Sequence, residues 1–383
     1  VRPKNHEKAF LYLVGNLIVF DHVKQKLFLI QNSLDEAFES NLDEVASIVN
    51  EAVPLSRLDF DTQAGLNHDF EETGFYSNTG EEEFKKLIEK AKKHIFEGDV
   101  FQMVLSHKFI KDFEQECNVV DGAFEAGSKA LDPFLLYRIL RTVNPSPYQF
   151  LFNYEDDGEI KTLVGSSPEM MTKSVRENSV IDGKSQIKAQ ISPIAGTYRR
   201  THDAKKDEEL KQKLLSDEKE LAEHVMLIDL ARNDLSRVCD DIKVPEKIFV
   251  ETYSHVMHIV SNVTGILKPR SKADSVVDLI KAAFPAGTLS GAPKIEAIKL
   301  ILDLEKESRG YYGGAIGYFG LNGTLDTAIM IRTMLVTKKN LCIQAGCGVV
   351  ADSDPEKEWQ ETFNKANALI DVVLMAEEIS IKG

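Results

Sequence analysis

The last third of the chain constrains the fold most. Three long strand candidates follow one another there, GGAIGYFG (313–320), DTAIMIRTMLVT (326–337) and LCIQAGCGVV (341–350), and Asn322-Gly323 joins the first two. Asn-Gly between apolar runs is a hairpin signal, because both residues tolerate the positive φ that a tight turn needs. Upstream, strands and helices do not alternate regularly. The pattern predicts a helix over 81–97, a strand over 100–110, a helix over 133–143, a strand over 147–155, strands over 162–175, a long helical stretch over 204–236, a strand over 250–267, and helices over 272–283 and 292–303. A final helix opens at Asp354-Pro355, with Asp as N-cap and Pro at the first helical position. Long strands in hairpins, interrupted by helices, point to an α+β fold rather than a doubly wound parallel sheet.

The N-terminal segment reads differently. Residues 9–31 alternate as strands around Gly15-Asn16, residues 34–52 read as helical, and 54–80 are polar and linker-like. Residues 1–80 are therefore taken as a strand/helix segment and linker, expected to be part of the same domain with further residues upstream, and 81–383 as the main domain. A hydrophobic content of 43% over 383 residues is ample for a core. The longest apolar stretches are too short to span a bilayer, so no membrane association is expected. Four cysteines without C-x-x-C spacing suit a reduced, cytoplasmic protein. A net charge of −15 with no basic stripe disfavours nucleic acid, and an anionic ligand would need a cation or buried arginines.

One carboxylate spacing occurs twice, as EKELAE (218–223) and EKEWQE (356–361). The plain alternative is two solvated helix faces. Yet Glu220 and Glu223, like Glu358 and Glu361, stand three apart on one face, and four carboxylates brought together would repel unless a divalent cation sat between them. Trp359 and the apolar run around Glu223 give both helices a buried side. GTLSGAPK (287–294) is not a P-loop, because its Lys follows the second Gly by three residues and no Ser or Thr comes after it. AGCGVV (345–350) lets backbone N–H groups approach a ligand. Arg332 lies in an apolar strand candidate, where it needs either a salt bridge or a carboxylate ligand. Cys347 lacks the glycine spacing and the later histidine of a glutaminase nucleophile. His255 and His258 fall on opposite faces of a strand, so one of them points inward.

Ten blocks in order, VFQMVLSHKF, NPSPYQFLF, VGSSPEMM, PIAGTYRR, DEKELAEHVMLIDLARNDL, VMHIVSNVTG, GTLSGAPK, YYGGAIGYF, IMIRTM and QAGCGVVADSDPEKEWQET, resemble the chorismate-utilising enzyme family, most closely the members that make anthranilate. The match runs from about residue 90 to 375, which identifies 81–383 as a chorismate-binding catalytic domain. The resemblance implies two antiparallel β-sheets packed face to face with flanking helices, and the active site between them. It implies one Mg²⁺ held directly by Glu223 and Glu361, with Glu220 and Glu358 in support. Ala195, Gly196, Thr197, Thr288, Tyr312, Arg332, Gly346, Cys347 and Gly348 match positions that receive chorismate. Glu169 matches the acid near the departing hydroxyl, and His258 the histidine tied to loss of the pyruvyl side chain. Pro147, Tyr148 and Gln149 match part of a feedback tryptophan site, with Gln149 where relatives usually carry Met; GTYRR also varies the usual basic pattern.

Two positions bear on the product. In family members that add water, a lysine stands where this chain has Gln102, which is no general base near neutral pH. In many that place nitrogen para to the carboxylate, a lysine stands where this chain has Ala195. Ammonia is then expected to attack the ring beside the carboxylate-bearing carbon, and loss of pyruvate gives anthranilate, with aminodeoxyisochorismate as the product if elimination fails. Ammonia would come from glutamine through a separate glutamine amidotransferase subunit, component II. An idle binding or regulatory subunit would be expected to have lost acidic or arginine positions, and none is missing.

Overall fold

The structure, a computed structural model, describes residues 9–32, 40–51, 69–113, 119–120, 123–124, 131–178, 185–201, 203–253, 256–268 and 272–382. The chain divides into two compact units, Val1–Asp61 and Thr62–Gly383. The first holds an antiparallel hairpin of β1 (Asn16–Asp21) and β2 (Lys26–Gln31), followed by α1 (Leu42–Glu51). Its turn is not at Gly15-Asn16. Asp21 Oδ1 accepts from the N–H groups of Val23 and Lys24, and Gln25 takes φ 51°, while the Gly15 carbonyl closes the open end by accepting from Asn32 N–H. Residues 33–39 and 52–68 lie outside the described residues, so the predicted helix is seen only from Leu42.

In the second unit the tail of the predicted linker is ordered as a 3₁₀ turn, Phe70–Thr73, and β3 (Tyr76–Ser77). After α2 (Glu81–Glu97) and β4 (Gln102–Asp112) come a short hairpin, β5 (Val119–Val120) and β6 (Ala123–Phe124), then α3 (Pro133–Val143), β7 (Tyr148–Asp156) and β8 (Glu159–Ser167). Next are β9 (Met170–Asn178), β10 (Ser185–Ile191), β11 (Ile194–Arg199), α4 (Ala204–Leu215) and α5 (Glu218–Ser236). The predicted long helix is thus two helices. It breaks where the Asp217 side chain accepts from the N–H groups of Lys219 and Glu220 and caps α5. The chain continues through β12 (Cys239–Thr252), β13 (Val256–Leu267), α6 (Lys272–Ala283), a 3₁₀ turn at Gly287–Leu289, β14 (Gly291–Ala292) and α7 (Lys294–Leu304). It ends with β15 (Ala315–Phe319), β16 (Leu325–Ile329), β17 (Thr333–Val336), β18 (Asn340–Val349) and α8 (Pro355–Lys382).

The fold is α+β, with two seven-stranded antiparallel sheets packed face to face. One runs β14-β4-β18-β17-β8-β7 with β3 beside β4, and the other β11-β13-β10-β9-β16-β15 with β12 beside β13. Two strand-to-strand links cross directly between them, from β8 to β9 and from β16 to β17. The predicted single strand over 326–337 is therefore broken in the middle, and the strands over 162–175 belong to different sheets. Arg332, expected within a strand, sits in the second crossing with φ 51°, a left-handed conformation uncommon for a residue with a side chain. The crossings are stitched to the sheets around them, Ser166 N–H donating to the Arg332 carbonyl and Ile329 N–H to the Glu169 carbonyl.

The first sheet buries its outer face under α2, α7 and α8. Phe84, Ile88, Met103, Leu105, Ala297, Ile301, Cys347, Val349 and Trp359 form one cluster there. Large side chains of this kind stabilise by about 1.5–3 kcal/mol each when fully buried. Because side chains alternate along a strand, this packing turns Gln102, Val104 and Ser106 of β4, and Gly346 and Gly348 of β18, toward the opposite face. Among the described residues no helix is long and apolar enough to cross a membrane.

Candidate active site

Glu169, in the first crossing, is buried and accepts a hydrogen bond from the Thr288 hydroxyl at 2.8 Å. Burial pushes its carboxyl up to about 7, against the opposing pull of the Thr288 bond and the Lys365 ammonium. The 3₁₀ turn supplies Thr288, and β8 delivers Glu169.

His258, on β13, lies across from a bulge in β11 between Ala195 and Thr197. Its Nδ1 is 3.0 Å from the Gly196 carbonyl and 3.0 Å from the Thr197 hydroxyl. A carbonyl can only accept, so Nδ1 carries the proton and Nε2 is left as the basic atom. Burial holds the imidazole pKa below its ordinary value, which favours the neutral ring. Gly196 has φ 59°, and a Cβ there would lie 2.9 Å from Leu214 Cδ1 and 3.1 Å from Glu220 Oε2. Both the turn and the close approach require glycine.

On the facing sheet, Tyr312 covers Gly346 so closely that a Cβ on the glycine would come within 2.9 Å of the phenol oxygen. Lys365 Nζ donates to the Gly346 carbonyl at 2.9 Å and pairs with Glu361 at 2.5 Å. Arg332 Nη1 donates to the Lys365 carbonyl. Burial lowers the Arg332 pKa, while Tyr312 and Glu361 nearby favour its charge. Lys365 was missed by sequence reasoning. Its signal was its place four residues after Glu361, one turn along the same face of α8.

The two EKExxE segments lie near enough for their charges to interact. Burial raises the carboxyl pKa of Glu220, Glu223 and Glu358, and the Glu361 charge raises all three further. Glu358 Oε1 accepts from the Ser353 hydroxyl at 2.7 Å, while its buried Oε2 has no partner among the described residues. The four carboxylates are not drawn into coordination distance. Among the described residues, the trio whose ligand atoms lie within 4.8 Å of one another is instead His94, Glu97 and Asp99. An all-oxygen donor set with one orphaned buried carboxylate oxygen fits a hard divalent cation such as Mg²⁺.

The remaining residues are placed as follows. Gln102 starts β4 on the face shared with Ser106 and pairs through its backbone with Ala292. Ala195 pairs with Ile259. The Cys347 thiol points into the outer cluster beside Trp359, and burial raises its pKa well above the ordinary value, so this residue offers no nucleophile. His255 lies outside the described residues. Pro147 precedes β7, where Tyr148 donates to Asp326 Oδ1 of β16 at 3.0 Å and the buried Gln149 Nε2 has no partner among the described residues. Arg200, in the varied GTYRR stretch, bonds Asp207 of α4 and the Tyr253 carbonyl, which is a structural tie.

Comparisons with known proteins agree with the α+β fold. The chorismate binding enzyme family matches residues 1–371. Anthranilate synthase component 1 from Synechocystis sp. is 41% identical over 97% of this chain and 71% of its own length. The crystal structure of anthranilate synthase component I from Streptococcus pneumoniae superposes with a TM-score of 0.74 at 35% identity, covering 93% of this chain and 72% of that one. A putative 2,3-dihydroxybenzoate-specific isochorismate synthase from Bacillus anthracis gives a TM-score of 0.64 at 26% identity over 79% of this chain and 74% of its own.

Proposed function

The chain belongs to the chorismate-binding enzyme family, and we propose that it acts as the large subunit of an anthranilate synthase, converting chorismate and ammonia to anthranilate and pyruvate in tryptophan biosynthesis. Glu169 is the observation that carries this reading. A buried carboxyl whose pKa reaches about 7 keeps its proton near neutral pH, as a general acid for a departing ring hydroxyl must. Ammonia adds to the ring as that hydroxyl leaves with the proton of Glu169. His258 Nε2, its tautomer set by the Gly196 carbonyl, then accepts the ring proton as the C–O bond breaks and the ring becomes aromatic, and the departing enolpyruvate takes up a proton at its methylene carbon to become pyruvate. Arg332, Tyr312 and the N–H groups of Gly346 and Gly348 suit the carboxylate oxygens of the substrate, whereas the Cys347 backbone, paired with Leu105, faces β4. Glu223 and Glu361 would hold Mg²⁺, supported by Glu220 and Glu358, and the ion would supply Lewis-acid polarisation and offset the ring carboxylate's charge in a chain of net charge −15.

Gln102 and Ala195 favour ammonia as the direct nucleophile, because neither can activate water or attack the ring. The buried Cys347 favours a separate glutamine amidotransferase, component II, as the nitrogen source. The purified chain is expected to use ammonium salts and not glutamine, and to gain glutamine use only when that partner is added. His258→Ala should accumulate an aminated intermediate that still bears the pyruvyl group. Product from glutamine by the chain alone would refute the partner assignment, and equal loss of both steps in His258→Ala would refute the role given to the imidazole.

A further inference from the structure

Beside Tyr312 lies a buried polar knot that the proposed chemistry does not use. Arg309, in the link between α7 and β15, donates through Nη1 to the Leu289 carbonyl at 2.6 Å and through Nη2 to the Val104 carbonyl at 2.6 Å. It pairs with Glu305 through Nε at 2.8 Å and Nη2 at 2.7 Å, and its guanidinium carbon lies 5.8 Å from the centre of the Tyr312 ring. Glu305 Oε1 also accepts from the Ser106 N–H at 2.8 Å and the Ser106 hydroxyl at 3.0 Å, and Gln344 Nε2 donates to that hydroxyl at 2.9 Å. Every segment gripped here carries a site residue. Leu289 follows Thr288, Val104 lies on the strand that begins at Gln102, Ser106 stands opposite Gly346, and Tyr312 covers that glycine. A planar fork that reaches two carbonyls and a carboxylate at once cannot be reproduced by the single point charge of a lysine.

We propose that Arg309, held by Glu305, is a positioning residue that fixes the Gly287–Leu289 turn so that Thr288 meets Glu169. The inference rests on the reading of this chain as a chorismate-aminating enzyme with Glu169 as its acid. Loosening the turn weakens the Thr288 bond, which favours the ionised Glu169, so the acid becomes weaker. Lys365 is the other charged group facing Glu169, and it is held independently through Gly346 and Glu361.

The test compares wild type, Arg309→Lys, Thr288→Val and the double variant at constant free ammonia with saturating Mg²⁺ and chorismate. Arg309→Lys is expected to lower kcat about 100-fold while the KM for chorismate moves no more than about threefold. The alkaline limb of its pH–rate profile should shift to higher pH, as it should for Thr288→Val. The double variant should be no worse than Thr288→Val alone, because both changes act through one contact. Should Arg309→Lys fail to fold, Glu305→Gln carries the same comparison, since it frees the guanidinium at constant volume. An unmoved alkaline limb, or defects that multiply in the double variant, would overturn the proposal. A wild type that forms no aminated product would instead overturn the functional reading on which it rests.

Discussion

Glu169 keeps its proton to about pH 7 in the folded chain, against 4.5 for an ordinary glutamate, so the folded state binds more protons between those values and loses stability as pH rises through them. At pH 8 that penalty is about 3 kcal/mol. Glu169→Gln should therefore raise the urea midpoint at pH 8 while lowering kcat by roughly 10²- to 10⁴-fold; an unchanged midpoint would show that the burial is not paid in stability. The glycines of β18 give a second contrast. A Cβ at Gly346 would lie 2.5 Å from the Leu105 carbonyl oxygen, whereas one at Gly348 meets nothing within 4 Å. Gly346→Ala is expected to destabilise the fold, and Gly348→Ala to leave it intact while weakening chorismate binding, as unfolding curves and KM would show. Some of the contacts around the candidate site were legible as motifs, since Glu169 of SSPE meets Thr288 of GTLSG and His258 of VMHIV meets Gly196 and Thr197 of IAGTY. Two residues were not read correctly. Lys365 has its role only through contacts with Gly346 and Glu361, and the left-handed Arg332 has no local sequence mark.

At the scale of elements, α2, α3 and α6 were legible to their ends, since amphipathic spacing and capping residues are local signals. The break between α4 and α5 and the two sheet crossings were not, because continuous apolar character does not reveal a change of sheet. These crossings set Glu169 and Arg332 in the links between the sheets. The first turns of α5 and α8 bring carboxylates to positive helix ends, which favours negative charge but does not cancel the repulsion among Glu220, Glu223, Glu358 and Glu361. Glu358→Gln should therefore melt at a higher temperature than wild type in chelator, and gain less than wild type when Mg²⁺ is added. An identical response to Mg²⁺ in both proteins would exclude Glu358 from the cation site.

For the whole molecule, stability at acid pH turns on buried histidines, and beside His258 there are His107 and His224. Burial lowers His107 to about 3 and His224 to about 4, below the ordinary 6.5. Both are neutral when folded and charged when unfolded in mild acid, so their contribution is fully present above about pH 6.5 and is lost as pH falls toward their folded values. His107 stacks on Trp359 at 4.8 Å and bonds Thr362, which ties α8 to the first sheet. At pH 5 each histidine costs roughly 2 kcal/mol, and Glu169 acts with the opposite sign. His107→Gln should flatten the loss of stability between pH 7 and 5, and Glu169→Gln should steepen it, as urea midpoints across that range would show. The same slope in all three proteins would contradict both assignments. The most direct measurement is the product itself: the purified chain is incubated with chorismate, Mg²⁺ and an ammonium salt, and the product is identified by its spectrum. Anthranilate with one pyruvate per turnover is the predicted result, and isochorismate or a para-aminated product as the main species would contradict the account.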